Sequence, residues 1–387
     1  MPILNRAAEM QDEITGWRRH IHKTPELGFD LYQTADFVAA RLREFGCDEV
    51  ATGIARTGIV GIIKGRLGPG PTVGLRADMD ALPISETSGK AHASTIAGKM
   101  HACGHDGHTA MLLGAAKYLA ETRNFTGSVA LIFQPAEEGG GGGNEMVKEG
   151  MMERFGISRV FGMHNMPGLP VGQFAIRPGA IMAATAEFTI RVTGRGGHAA
   201  MPHLSIDPIV AASQIVLALQ TIASRTVDPA ESVVVSVTKF HGGDAYNVIP
   251  EHVELAGTVR TLKKEVAALT RDRMQAICEA IGKASGTTVS FQYRANYPVT
   301  VNDPGEAVFA GDVAATVAGE TGIQRSIPPL MGGEDFSYML EARPGAFIFI
   351  GNGDTQNLHH PSYDFNDEAI PHGVSYWVKL AETALAA

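Results

Sequence analysis

Three cysteines in 387 residues, Cys47, Cys103 and Cys278, are too few and too scattered for a disulfide framework. A reducing cytoplasm is therefore the expected location. Basic runs with interleaved aromatics are missing and the net charge is -9, which argues against a nucleic-acid or anionic-membrane surface. The opening "MPILNRAAEMQDEITGWRRH" lacks the basic, apolar and small-residue succession of a secretory leader. No apolar run of about 18 residues marks a membrane span. Charged residues are scarce, at 19% against 44% hydrophobic, a balance that suits a packed globular chain and not a disordered one.

What the chain does hold is concentrated. The stretch "KMHACGHDGHTAMLLGAAKYLA" crowds His101, Cys103, His105 and His108 around Asp106. A small-residue apolar run follows at once and predicts a helix over 106–121. Further possible ligands stand at the carboxyl ends of expected strands: the pair Glu137-Glu138 in "LIFQPAEEGG", His164 in "VFGMHNMPG", and His359 and His360 in "NGDTQNLHHPSYDFND". Open α/β sheets bind ligands in the crevice beyond those ends. Cys103, His105, Glu138, His164 and His359 are therefore expected to converge.

One thiolate, several imidazoles and a carboxylate suit a borderline divalent ion such as zinc, nickel, cobalt or manganese. Five ligands exceed what one tetrahedral ion takes, which favours two ions bridged by a shared group. Of the adjacent acids, Glu138 is assigned to metal. Glu137 keeps its basicity and is assigned to deprotonating a bound water. Asp78 and Asp80, after the strand "PTVGLR", read as acids that orient ligands or as simple strand-end turn residues. Asp106 reads equally well as a helix cap, and His101 and His108 as packing neighbours or as groups that support the ligands from behind. The glycines at 139–143 read as a close-approach turn beside the acid pair, since the GK[ST] and GxGxxG patterns of phosphate cradles are absent.

The first half alternates β-rich runs such as "TGIVGIIKG", "PTVGLRAD", "GSVALIFQ" and "ISRVFGMH" with helical ones, which predicts an α/β fold with a mostly parallel sheet. From "TAEFTIRVTG" to "TTVSFQYRA" the order becomes β-α-β-β-α-β, a split-βαβ unit. The expected organisation is an α/β domain over 1–182 and 296–387, interrupted by an α+β domain over 183–295.

In order over nearly the whole chain stand "RRHIHKTPELGF", "RADMDALPI", "GKMHACGHDGHTAMLLGAA", "FQPAEEGGGGG", "GMHNMPGLPVG", "GRGGHAAMPH", "NVIPE", "GTVRT", "GGEDFS" and "LHHPSYDFNDEAI". This succession resembles the amidohydrolase branch of the M20 metallopeptidase family. The resemblance implies a dinuclear metallohydrolase domain with an inserted lid domain that often serves dimer contacts. It implies Cys103, His105, Glu138, His164 and His359, rather than His360, as ligands of two divalent ions, and Glu137 as general acid/base. The implied reaction attacks the amide of an N-acyl-L-amino acid with a metal-bridging hydroxide, in a homodimer or homotetramer. The nearest alternative is a dipeptidase or metallocarboxypeptidase on the same site.

His198, in the glycine-rich "GRGGHAAMPH", is a candidate donor to the oxyanion of a tetrahedral intermediate. Asn247 and Arg260 are candidates for the substrate carboxylate, the guanidinium fork matching it bidentately. "MGGEDFSYM" is expected to line the pocket through Glu334 and Asp335, or to cap a helix. Leu31 stands where relatives commonly carry Glu, which leaves only the local packing open. A cysteine-nucleophile hydrolase built on Cys103 is a different reading, and it gives Glu137 no role.

Overall fold

The computed structural model describes residues 3–387. The chain forms two compact units. One comprises the residues up to Ile181 with Thr300–Pro328 and Asp335–Ala387; the other comprises Met182–Val299 with Pro329–Glu334. The last segment departs from the expected division, which left 296–387 in one piece. It groups with the insertion because the Ala183 N–H donates to Gly332 O at 2.9 Å and Gly333 packs on Thr185.

The first unit is built on eight strands: β1 (Glu49–Ile54), β2 (Gly58–Lys64), β3 (Thr72–Asp78), β4 (Ser128–Gln134), β5 (Ile157–Pro167), β6 (Phe174–Ala175), β7 (Ile323–Gln324) and β8 (Gly345–Gly353). They lie in the order β1-β2-β4-β3-β5-β8-β6-β7. The centre, β4-β3-β5-β8, is parallel, and its strands are apolar on both faces, as a sheet covered on both sides requires. The sheet is mostly parallel, as expected, and turns antiparallel at this edge: β1 pairs antiparallel with β2, and β2 with β4. A turn through Ala55 and Arg56, both at positive φ, joins β1 to β2, and so short a link permits only an antiparallel return. The chain runs from β3 to β4 on one side and then to β5 on the other. The carboxyl end of β3 is thus a topological switch point, where crevices form.

The helices of this unit include α1 (Gln11–Lys23), α2 (Tyr32–Glu44), α3 (His105–Thr122), α4 (Gly142–Lys148), α5 (Pro304–Ala318) and α6 (Ile370–Ala384). Helix α3 packs against α1 and α6. Its small residues explain how: a Cβ at Gly114 would stand 2.6 Å from Ile14 and 2.8 Å from Val374, and one at Gly107 would stand 2.4 Å from the Phe365 ring. The helix is buried almost all round, which holds its first turn in a fixed place. Leu31, at the entrance of α2, is fully buried in the same core, so an apolar side chain fills that position.

The second unit follows the β-α-β-β-α-β order. Ala184–Thr193, Val233–His241, His252–Thr261 and Thr288–Ala295 form an antiparallel sheet. Helices Pro208–Thr221 and Lys264–Ser285 close its core with Ile190, Val192, Leu219, Leu255 and Met274. Along Ala184–Thr193 buried and exposed positions alternate, the period of a strand with one covered face.

Candidate metal centre

The loops beyond β3, β4, β5 and β8 meet at the N-terminus of α3. The Cys103 sulfur lies 3.4 Å from His164 Nε2. His105 Nε2 lies 3.9 Å from Glu138 Oε1, and His359 Nε2 lies 3.2 Å from the same oxygen. The ligand atoms fall into two trios, Cys103/His105/His164 and Cys103/Glu138/His359, each within 4.8 Å, and both contain the Cys103 sulfur.

The local backbone explains these directions. Gly104 at φ 94 turns the chain into α3, where a Cβ would strike the Asn165 amide at 2.3 Å. Ala136 at φ 54 swings the acid pair out of β4, and Asp80 holds the turn by accepting the N–H groups of Glu137 and Glu138, both at 3.0 Å. His359 adopts φ 65, and its N–H donates to Ala102 O at 2.7 Å. His360 faces elsewhere, its Nδ1 accepting the Ser362 N–H.

These residues fit divalent cations. Both His105 ring nitrogens and Glu138 Oε1 are buried without a well-aligned hydrogen bond among the described residues, their nearest charged neighbours being Asp80 at 3.4 Å from His105 Nδ1 and His359 at 3.2 Å from Glu138 Oε1, so their lone pairs are open to an ion. His164 donates Nδ1–H to Asn165 O at 2.7 Å, which leaves the Nε2 lone pair for a metal. Burial, with His108 adding to it, keeps the His164 imidazole well below its usual range and so neutral. Burial works against a charged His105, yet Asp78, Asp80 and Glu138 raise it to about 10. Burial, then Glu138, Glu137 and Asp78, push the Cys103 thiol well above its ordinary value. So acidic a pocket keeps those protons until a cation displaces them.

The sequence profile of peptidase family M20/M25/M40 matches residues 74–383. The chain belongs to that family. A hippurate hydrolase of Campylobacter jejuni subsp. jejuni is 42% identical over 381 residues, 98% of this chain and 99% of its own length. Thermostable carboxypeptidase 2 of Saccharolobus solfataricus is also 42% identical, over 90% of this chain and 88% of its own. The solved structure of the Bacillus subtilis YXEP protein, a dinuclear metal-binding peptidase of the M20 family, superposes with a TM-score of 0.84. It is 35% identical and covers 98% of this chain and 99% of its own.

In this M20 chain a layer of polar groups surrounds the ligand candidates. Asp78 Oδ1 bonds His108 Nδ1 at 2.7 Å, and Asp78 Oδ2 stands 3.6 Å from His105 Nε2. His108 Nε2 accepts the Asn165 N–H at 3.0 Å, so both of its nitrogens are engaged within the protein. Asn165 Nδ2 donates to Cys103 O at 2.6 Å and Asn165 Oδ1 accepts the Tyr363 hydroxyl at 2.7 Å. Asp106 receives His22 Nδ1 at 2.8 Å and Arg18 at 3.4 Å, so it anchors α1 and does not join the trios. His101 is buried with neither nitrogen bonded among the described residues. The glycine run also serves an internal acid: Gly143 N–H donates to Asp335 Oδ2 at 2.8 Å, and a Cβ at Gly142 would stand 1.7 Å from Pro135 O.

Asn165, Tyr363, Arg76 and Gln134 escape sequence reasoning because each is a single polar residue in an apolar run or a loop. The second unit holds the other three candidates. His198 and Asn247 are exposed neighbours, Ala199 N–H donating to Asn247 O at 3.0 Å. Arg260 is half-buried on His252–Thr261, and its Nη1 donates to the Thr258 hydroxyl and to Val259 O. Burial lowers its pKa from the ordinary value.

Proposed function

We propose that this chain is a metal-dependent amidohydrolase that cleaves the amide of N-acyl-L-amino acids, hippurate among them, to a carboxylic acid and a free amino acid. Two ligand trios sharing Cys103 beside the Glu137-Glu138 turn carry the reading. Cys103, His105 and His164 would hold one ion, and Cys103, Glu138 and His359 the other, each manganese, nickel, cobalt or zinc. When bound, the pair polarises the amide carbonyl and makes the attacking water acidic.

Glu137 does the proton work. It is nearly buried, its backbone is pinned by Asp80, and its Oε1 accepts the Asp335 N–H at 3.4 Å. Its carboxylate takes a proton from the attacking water as the C–O bond forms. It then delivers that proton to the amide nitrogen as the C–N bond breaks, so the amine leaves neutral. His198 Nδ1 accepts the Ala200 N–H at 3.1 Å, which puts the ring proton on Nε2, the form able to donate to an oxyanion. Asn247 and Arg260 are the proposed holders of the free carboxylate. The carboxypeptidase relative keeps a peptidase reading in play, and substrate choice separates the two. A cytoplasmic homodimer or homotetramer is the proposed form, read by light scattering on the purified protein.

The test is release of free amino acid from N-benzoyl, N-acetyl and indole-acetyl amino acids and from dipeptides, using manganese-loaded protein. Glu137→Ala is the paired control, expected to lose about 10³-fold in kcat. Cleavage restricted to peptides overturns the substrate class, and a control as fast as the parent overturns the role of Glu137.

A further inference from the structure

Beyond the ligands lies a closed polar system that the mechanism above does not use. Arg76, Gln134 and Asp335 are all fully buried. Asp335 Oδ1 accepts Arg76 Nη2 at 3.0 Å and Gln134 Nε2 at 2.7 Å. Asp335 Oδ2 accepts Gln134 Nε2 at 2.9 Å and the Gly143 N–H at 2.8 Å. Each oxygen thus receives at least two donors, from β3, β4 and the first turn of α4. Arg76 completes the set, with Nε donating to Gln134 Oε1 at 2.8 Å and Nη1 to Asp78 Oδ2 at 2.8 Å.

A buried, charge-assisted network of this kind is costly unless it is satisfied, and once satisfied it is rigid. What it makes rigid is one peptide group. The Asp335 N–H is the donor that meets Glu137 Oε1. The backbone of Glu137 is already fixed by Asp80 and by the Gly142 N–H bond to Ala136 O at 3.0 Å. The remaining freedom is the rotation of its side chain, and the Asp335 amide bears on that.

We propose that Asp335 is a positioning residue for Glu137: its clamped carboxylate fixes its own backbone N–H, which holds the Glu137 carboxylate in the orientation needed for proton transfer. The proposal rests on the reading of Glu137 as the base. The role belongs to the peptide N–H, and the carboxylate acts as its anchor. Because the guanidinium that holds Asp335 also holds Asp78, which faces His105, one buried cation ties the base to the ligand side of the site.

Asp335→Asn tests this. The substitution keeps the volume but turns an NH2 toward groups that are all donors, so at least one clamp is lost. Metal-loaded Asp335→Asn is expected to lose about 10- to 50-fold in kcat with KM changed less than about twofold. Metal content per chain should match the parent, whereas the thermal transition should fall, since a buried guanidinium loses part of its counter-charge, so kcat is compared well below the transition. The deciding readout is the double variant: in a Glu137→Ala background, where no carboxylate remains to orient, Asp335→Asn should change kcat by less than about twofold. A loss of the same size in both backgrounds, or one accounted for by lost metal or by KM, overturns the positioning role while leaving the base intact. If Glu137→Ala is itself as fast as the parent, the base reading and this proposal fall together. Should Asp335→Asn not fold, Gln134→Met removes both Gln134 bonds to the carboxylate at similar volume. It should then show a smaller kcat loss, about 3- to 10-fold, that also vanishes without Glu137.

Discussion

His105 and His359 offer the same imidazole from very different ground. His105 sits in the first turn of a helix buried on nearly every side, with no exposed surface of its own. His359 stands on a loop at positive φ, tied by one backbone bond, with its side chain 53% exposed. The contrast extends to their trios. Cys103, His105 and His164 are all buried, and Asn165, His108, Asp78 and Asp80 brace them from behind. The trio of Cys103, Glu138 and His359 runs from buried to exposed. A centre whose ligands are held before the metal arrives binds it more tightly than one that must order a loop. The two halves should therefore differ in affinity although they share a sulfur.

Removing that sulfur is the harshest way to break the comparison. Cys103→Ala takes a ligand from both trios at once, so the chain should lose both equivalents of metal, and kcat should fall by about 10⁴-fold. Elemental analysis after desalting, alongside the amidohydrolase assay, reads both quantities. Retention of one full equivalent would show that the trios do not share Cys103.

A gentler cut separates the halves. His359→Ala should release one equivalent and keep the other, with kcat down about 10²- to 10³-fold, whereas His105→Ala should weaken the tighter equivalent. Chelator titration of the parent should be biphasic, and in His359→Ala the weaker phase should be the one that disappears. Loss of the tight phase instead would reverse the assignment of the two halves.

The exposed half was the easier one to read from sequence. Glu138 and His359 lie in short motifs that follow predicted strands, and the parallel direction of those strands brings their carboxyl ends to one edge. Cys103 and His105 stand out for a different reason, as an unusual cluster at a helix start. The bracing behind the buried half was not. Asn165 follows His164 inside an apolar strand, and Arg76 lies in "GLRAD" with nothing to say that its guanidinium spans to Asp335, 259 positions away. A polar residue in a buried strand signals only that a partner exists, because the partner is chosen by tertiary packing. Strand β1 escaped for a plainer reason: "EVATGI" is half polar and faces solvent on one side at the sheet edge. From sequence alone Asp335 is a pocket acid or a cap. It does meet the first turn of a helix, but of α4, whose glycines come from a segment far upstream.

The smallest effect concerns what lies beneath the buried half. Asp106, next to His105, receives His22, which also meets Glu86 across its other nitrogen. Burial opposes a charged His22, but Asp106 and Glu86 overcome it and raise the group to about 9. Burial likewise works against a charged Glu86, yet bonds from His22, Ser88 and the Ser94 N–H bring it to about 2. His22 binds its proton more tightly when folded, so its contribution is fully present below about pH 6.5 and is lost as pH rises through about 9. Glu86 has the opposite sense, its contribution present above about pH 4.5 and lost as pH falls toward about 2. The first window holds on the order of 3 kcal/mol. Thermal unfolding of the metal-loaded protein should therefore show stability declining between pH 6.5 and 9, and His22→Gln should be less stable at pH 6 and flatter across that range. Because His359 has no such foundation, His359→Ala should keep the parent's slope. An equal flattening in both variants would mean that the pH dependence comes from the ligands themselves and not from the support under α3.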